Sequence, residues 1–232
     1  MTPPVALVTG ANRGIGFEVA RQLAGLDHHV LLGCRGVDAG TEAERQLRDR
    51  GWKASSIELD VADASSVQHA AAEIDRVHGR LDILVNNAGT NFDNDRRAMD
   101  VDLAEVRSTL EINLFGAWCV VQTMLPLLRR SDHPRVVNVS SRAGSLSGME
   151  GGAPSYRVSK TALNALTRMM SDELRLDGVL VNSVCPGRSA TAMVGFDGRS
   201  PDIGASGIVW AATLPDDGPT GGFFRDRERV DW

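Results

Sequence analysis

Val5-Ala6-Leu7-Val8-Thr9-Gly10-Ala11-Asn12-Arg13-Gly14-Ile15-Gly16 is the stretch from which the fold can be read. Its first four residues are an unbroken apolar run, the pattern of a strand buried on both faces of a parallel sheet. The run passes into a glycine-rich turn and then into an amphipathic pattern through Phe17, Val19, Ala20 and Leu23, which predicts a helix. Strand, turn and helix together make an anion site. Unpaired amides at the helix start and the helix dipole both favour a phosphate. Gly10, Gly14 and Gly16 permit a tight turn and let a pyrophosphate approach the main chain. Asn12, Arg13 and Ile15 complete the turn. The spacing is G-x-x-x-G-x-G, a departure from the commoner G-x-G-x-x-G.

A second strand over residues 30–32 leads into Gly33-Cys34-Arg35-Gly36. An acid about twenty residues beyond the glycine turn would bind the ribose 2′-hydroxyl of NAD. Arg35 stands there instead, and Arg13 sits inside the turn. Two guanidinium groups suit a 2′-phosphate, which they grip through charge-assisted hydrogen bonds. The pair points to NADP(H).

Strand and helix patterns then alternate along the chain. A helical stretch over 37–50 precedes a strand over 56–61 that contains Asp60 and Val61. A helix over 65–78 follows, with Asp63 or Ala64 near its start and Gly79 after its end. The strand over 81–85 runs into Asn86-Asn87-Ala88-Gly89, and 92–102 is polar and irregular. A long helical pattern covers 103–130, and a strand over 135–139 delivers Ser140-Ser141. The next helix reaches to about Leu176, and a strand over 179–184 leads into Cys185-Pro186-Gly187. A helix over 201–213 and a short strand over 222–224 complete the pattern. The expectation is an α/β protein with a doubly wound parallel sheet (a Rossmann fold) of about seven strands, forming one domain over 1–232.

Within the helix after Ser141, Tyr156 is the only tyrosine of the chain, and Lys160 is one of two lysines, the other being Lys53. Positions i and i+4 share a helix face, so phenol and ammonium can meet over one spot. A phenol titrates near pH ~10, and a nearby cation lowers that value. Such a group can pass a proton to or from a substrate oxygen. Alone, the spacing favours a half-buried aromatic beside a solvated base on a surface helix.

The net charge of −5 and the lack of a basic block argue against nucleic acid and anionic membrane surfaces as partners. Cys34, Cys119 and Cys185 are scattered and show no metal-ligand spacing, which fits a reducing, cytoplasmic setting without a bound metal. The N-terminus shows no charged region ahead of an apolar one. The apolar run over 114–128 is broken by Gln122, Thr123 and Pro126, so no membrane span is expected.

Taken together, the glycine turn, the Asp60 strand end, Asn86-Asn87-Ala88-Gly89, Asn113, Val137-Asn138-Val139-Ser140-Ser141, Tyr156-x-x-x-Lys160 and Pro186-Gly187 resemble the short-chain dehydrogenase/reductase family. They occur in the family's order across nearly the whole chain. The ending 214–224, with Val230-Asp231-Trp232, resembles the family's carbonyl-reductase branch. The resemblance implies hydride transfer between a nicotinamide and a small-molecule carbonyl or alcohol. It implies Tyr156 as proton donor, with Lys160 lowering its pKa and holding the ribose hydroxyls. Ser141, rather than Ser140, matches the substrate-orienting serine, and Asn113 the asparagine that holds a water in the proton relay. Asn87, Ala88 and Gly89 would border the cofactor, Asp60 and Val61 the adenine, and Pro186, Gly187 and Thr191 the nicotinamide amide. The expected activity is NADPH-dependent reduction of an aldehyde or ketone. A β-ketoacyl thioester reductase or an alcohol dehydrogenase of the same family is an alternative, and a non-catalytic dinucleotide sensor a remote one.

The chain departs from that branch in two places. It lacks a long insertion before the tyrosine that accompanies monomers there, which leaves a dimer, a tetramer or a monomer open. The stripe Leu114, Ala117, Trp118, Val121, Leu125 and Leu128 could face a partner's helices or this chain's own sheet. Arg188-Ser189-Ala190 opens a short substrate-covering segment (about 188–200), in which Arg188 either attracts an acidic substrate or faces solvent.

Overall fold

The strands are β1 (Val5–Thr9), β2 (His29–Cys34), β3 (Ala54–Glu58), β4 (Ile83–Asn86), β5 (Arg135–Val139), β6 (Leu180–Val184), β7 (Phe223–Arg225) and β8 (Glu228–Arg229). The computed structural model describes residues 2–90, 93–188 and 198–232. Among these, the strands form one eight-stranded sheet in the order β3-β2-β1-β4-β5-β6-β7-β8. All pairings from β3 to β7 are parallel, as expected. The eighth strand is a two-residue antiparallel addition. It forms because Asp226 and Arg227 take φ values of 55° and 71° and turn the chain straight back on β7.

Helices α1 (Gly14–Ala24), α2 (Val37–Arg48), α3 (Ala64–His78), α4 (Leu103–Leu110), α5 (Ala117–Leu128), α6 (Pro154–Glu173) and α7 (Pro201–Ala212) cover the sheet. Side chains alternate across each strand, so both faces are apolar. Leu7, Leu31, Leu84, Val136 and Val181 face α3, α5 and α6. Val8, Val30, Leu32, Val85, Val137 and Val184 face α1, α2 and α7. Asp63 caps α3 by accepting from the Ser65 amide (2.9 Å), and left-handed Gly79 closes it.

Two expectations need correction. The third strand ends at Glu58, so Asp60 and Val61 lie in the turn beyond it. The pattern over 103–130 is not one α-helix: a π-helical segment, Glu111–Gly116, separates α4 from α5. Gly116 ends that segment against β3's turn, where an added Cβ would lie 2.9 Å from the Val61 carbonyl oxygen. Helix 103–128 is also long and apolar enough, by length and composition, to cross a membrane, although its sequence did not suggest a span. Its apolar side lies on the sheet, with Val120, Met124 and Leu128 fully buried. Of the stripe, Ala117, Val121 and Leu128 are buried in this same core, and Leu114, Trp118 and Leu125 are partly buried against it.

Beneath α6 the apolar core is crossed by a polar ladder. Asn86 donates to Asn138 (2.9 Å), Asn138 donates to Thr167 (2.9 Å), and the Thr167 and Ser183 hydroxyls meet at 2.8 Å. The ladder joins β4, β5 and β6 to the helix that carries Tyr156. Removing its central rung takes one hydrogen bond each from buried Asn86 and Thr167 and leaves a cavity between them. Asn138→Ala should lower the unfolding free energy by about 2–3 kcal/mol in urea titrations without changing the slope. A loss below about 0.5 kcal/mol would show that the ladder contributes nothing to holding α6.

Candidate active site

Strand order reverses between the two neighbours of β1, and ligands of such sheets bind beyond the carboxyl ends of the strands at this point. A cleft of about 1050 Å³ opens there. Gly10 and Gly14 adopt left-handed φ values of 64° and 59°, which bring the chain from β1 onto α1 in one tight turn. The N-terminus of α1 has no side-chain cap and no acid in its first turn. Its amide groups therefore remain available to an anion. Thr9 and Asn87 hold the turn in place. Thr9 Oγ1 accepts from the Asn87 and Ala88 amides (3.0 and 2.9 Å), and Asn87 Nδ2 donates to the carbonyls of Thr9 and Gly10 (2.8 and 3.2 Å).

Arg13 and Arg35 are both exposed at one end of the cleft, with Asp60 and Val61 on the neighbouring wall. Asp60 shapes that wall by accepting from the Ala62 amide (3.0 Å), while its own amide donates to Ser66 (3.0 Å). Asn87, Ala88 and Gly89 line the middle, and Tyr156, Lys160 and Pro186 the far end.

Tyr156 and Lys160 lie one turn apart on α6, with the ammonium 5.7 Å from the phenol ring centre. Lys160 Nζ donates to the Val139 carbonyl (2.9 Å) at the end of β5. Burial dominates both groups. It pushes the phenol up to about 12, against the opposing effect of a hydrogen bond from Ser141, and pushes the amine down to about 8. The spacing suggests that Lys160 lowers the phenol, but burial is the main influence and raises it, so at neutral pH the phenol holds its proton.

The two serines after β5 separate in role. Ser140 is buried and donates to Asn164 (2.6 Å), whereas Ser141 reaches the Tyr156 phenol. Gly144 makes this geometry attainable, because a Cβ there would lie 2.6 Å from the Lys160 main chain. The turn bearing Ser141 therefore rests directly on α6. Asn113, 1 % exposed, sits in the π-helical segment. It accepts from the Thr90 amide (2.8 Å) and donates to the Thr90 carbonyl and to Ser159 Oγ (3.0 Å each). Its side chain ties the loop after Gly89 to α6.

Residues 4–200 match the family model described as short chain dehydrogenase. The chain belongs to the short-chain dehydrogenase family. Carbonyl reductase 1 of Sus scrofa, named as an NADPH enzyme, is 34% identical, over 98% of this chain and 94% of its own length. Salutaridine reductase of Papaver bracteatum is 32% identical, over 94% of this chain and 93% of its own. The crystal structure of NADPH-bound carbonyl reductase from chicken fatty liver superposes with a TM-score of 0.89 at 27% identity, covering 100% of both chains.

In this short-chain dehydrogenase the expected site residues gather at one edge of the sheet, apart from Thr191, which lies outside the described residues. Gly187 adjoins Pro186 but is packed under Arg199. Arg199 was not singled out in the sequence. It donates through Nε to the Pro186 carbonyl (2.9 Å) and pairs with Asp226 (2.7 Å), so it fastens the Pro186-Gly187 turn to the β7–β8 hairpin. Thr90, Ile112 and Pro201 also line the cleft without any signal in their local sequence. Arg188 is exposed.

Proposed function

We propose that this short-chain dehydrogenase reduces the carbonyl of an aldehyde or ketone to an alcohol with NADPH, with Tyr156 as proton donor. The observation that carries the reading is a protonated phenol, hydrogen-bonded by Ser141, at one end of a cleft whose other end presents two guanidinium groups. The carbonyl reductase and salutaridine reductase relatives support the reaction class.

The donor set of the cleft fits the cofactor. The uncapped amides of α1 would hold the pyrophosphate, and Arg13 with Arg35 the 2′-phosphate. Asp60 and Val61 would hold the adenine, Asn87, Ala88 and Gly89 the middle of the molecule, and Pro186 and Gly187 the nicotinamide amide. Lys160 would bind ribose hydroxyls. When bound, NADPH supplies the hydride.

The chain's own residues handle the oxygen. Ser141 and Tyr156 both donate toward a carbonyl oxygen on which charge develops, and such donors act most strongly on the late, charged species. Tyr156 then gives up its proton. Because burial holds the phenol near 12, it is fully protonated at neutral pH, which suits the reducing direction.

Tyr156→Phe should lower kcat by a factor on the order of 10²–10⁴ while NADPH binding is retained. Wild-type turnover in a panel of aldehydes and ketones would end the assignment. The same acidity sets the pH dependence. Reduction needs the protonated phenol and should stay flat from pH 6 to about 8, whereas alcohol oxidation needs the phenolate and should climb with pH, by up to about tenfold per unit. Oxidation rates independent of pH would contradict this. Arg35→Asp should weaken NADPH by roughly a hundredfold and change NADH only slightly, since it removes a charge-assisted bond and adds repulsion. Equal losses for both cofactors, measured by fluorescence titration, would rule out the phosphate role.

A further inference from the structure

The first turn of α6 is capped from a distance. Ala153, at the N-cap position, has a left-handed φ of 45° and no side chain able to accept a hydrogen bond. Ser155, one of the first helical residues, does not serve either, because its buried hydroxyl has no hydrogen-bond partner. The cap comes from Asp93, in the irregular segment after β4. Its Oδ2 accepts from the Ser155 amide (2.9 Å) and its Oδ1 from the Tyr156 amide (3.2 Å), across 62 and 63 residues of chain. Asp93 is 4 % exposed, so this carboxylate lies out of water against the positive end of a 20-residue helix.

The other side of the Tyr156 peptide is held as well. Ser159 Oγ donates to the Tyr156 carbonyl (2.8 Å) and accepts from Asn113 Nδ2 (3.0 Å). The main chain of the tyrosine is therefore gripped at its N–H by Asp93 and at its carbonyl through Ser159 and Asn113. Both grips originate outside α6, one in the loop after β4 and one in the π-helical segment.

We propose that Asp93 is a positioning residue for Tyr156: by binding the Ser155 and Tyr156 amides it fixes the first turn of α6, and with it the phenol's place opposite Ser141. The proposal rests on the reading of Tyr156 as proton donor. Displacing a reacting group by about an ångström can cost two orders of magnitude in rate, whereas Asp93 binds nothing at the Arg13, Arg35 and α1 end of the cleft. The consequence is selective. Loss of Asp93 should slow proton delivery and leave NADPH binding intact.

The test compares Asp93→Ala, Asp93→Asn and Tyr156→Phe with wild type, using a carbonyl substrate that wild type reduces. The readouts are kcat, NADPH affinity by fluorescence titration, and the solvent deuterium isotope effect on kcat. Asp93→Ala should lose at least about tenfold in kcat with NADPH affinity within about twofold of wild type. Its solvent isotope effect should rise, because proton transfer becomes slower relative to the other steps. Asn retains one acceptor oxygen and should recover part of the rate. A kcat within about twofold of wild type, or a loss matched by an equal loss of NADPH affinity, would overturn the proposal. Where Asp93→Ala fails to fold, Asp93→Asn decides: a loss of about threefold or more with a raised isotope effect supports the role, and wild-type values overturn it. Failure of the underlying reading is separately visible, since it requires Tyr156→Phe to stay active.

Discussion

A parallel strand can be followed by another only through a crossover on one face of the sheet, so every strand of such a sheet leaves at the same edge. The rest of this structure depends on that constraint. The glycine turn after β1, the Asn87–Gly89 loop after β4, Ser141 after β5 and Pro186-Gly187 after β6 come from residues far apart in sequence, yet meet at one edge. Helices on both faces exclude water from the sheet. Polar groups therefore collect where the strands end, and the cleft opens where the strand order reverses.

Burial at that edge decides the electrostatics. Removing a phenol and an amine from water favours the neutral form of each, and here burial is the main influence on both. A phenol that keeps its proton is suited to donate one. The same dryness makes positioning costly unless polar groups are paired, and the site is accordingly underlain by amide and hydroxyl pairs. Asn86, Asn138, Thr167 and Ser183 join the strands to α6, Asn164 joins it to Ser140, and Asn113 joins it to the loop after Gly89. A wholly apolar core would bury α6 as well but would fix its rotation and height less sharply.

Two other long-range contacts act in the same sense. Arg199 holds the Pro186 carbonyl and is itself held by Asp226, whose left-handed backbone creates the β7–β8 hairpin. The indole of Trp232 stacks on Phe223 in β7 (5.5 Å between centres), and the adjoining Asp231 carbonyl accepts from Ser145 (2.8 Å) in the loop after Ser141. The C-terminal residues thus brace the same edge at which the turns after β1, β4 and β5 meet.

Periodicity and punctuation in the sequence determined most of the fold and the residues proposed for the site. Unbroken apolar runs marked the strands, glycines marked the first turn, and a sole tyrosine four residues ahead of a rare lysine marked the proposed proton donor, because these signals are local and carry their own spacing. Only the tertiary structure decided where burial would drive the acidity of Tyr156 and Lys160, since the surrounding walls come from strand ends far apart in sequence. It also decided that the stripe on α5 packs against this chain's own core, that a π-helical turn houses Asn113, and that Asp93 rather than any neighbour caps α6. A carboxylate 62 residues from the amide it binds leaves no mark on the local pattern of either segment. Contacts of that kind exist only once the sheet has brought its strand ends together.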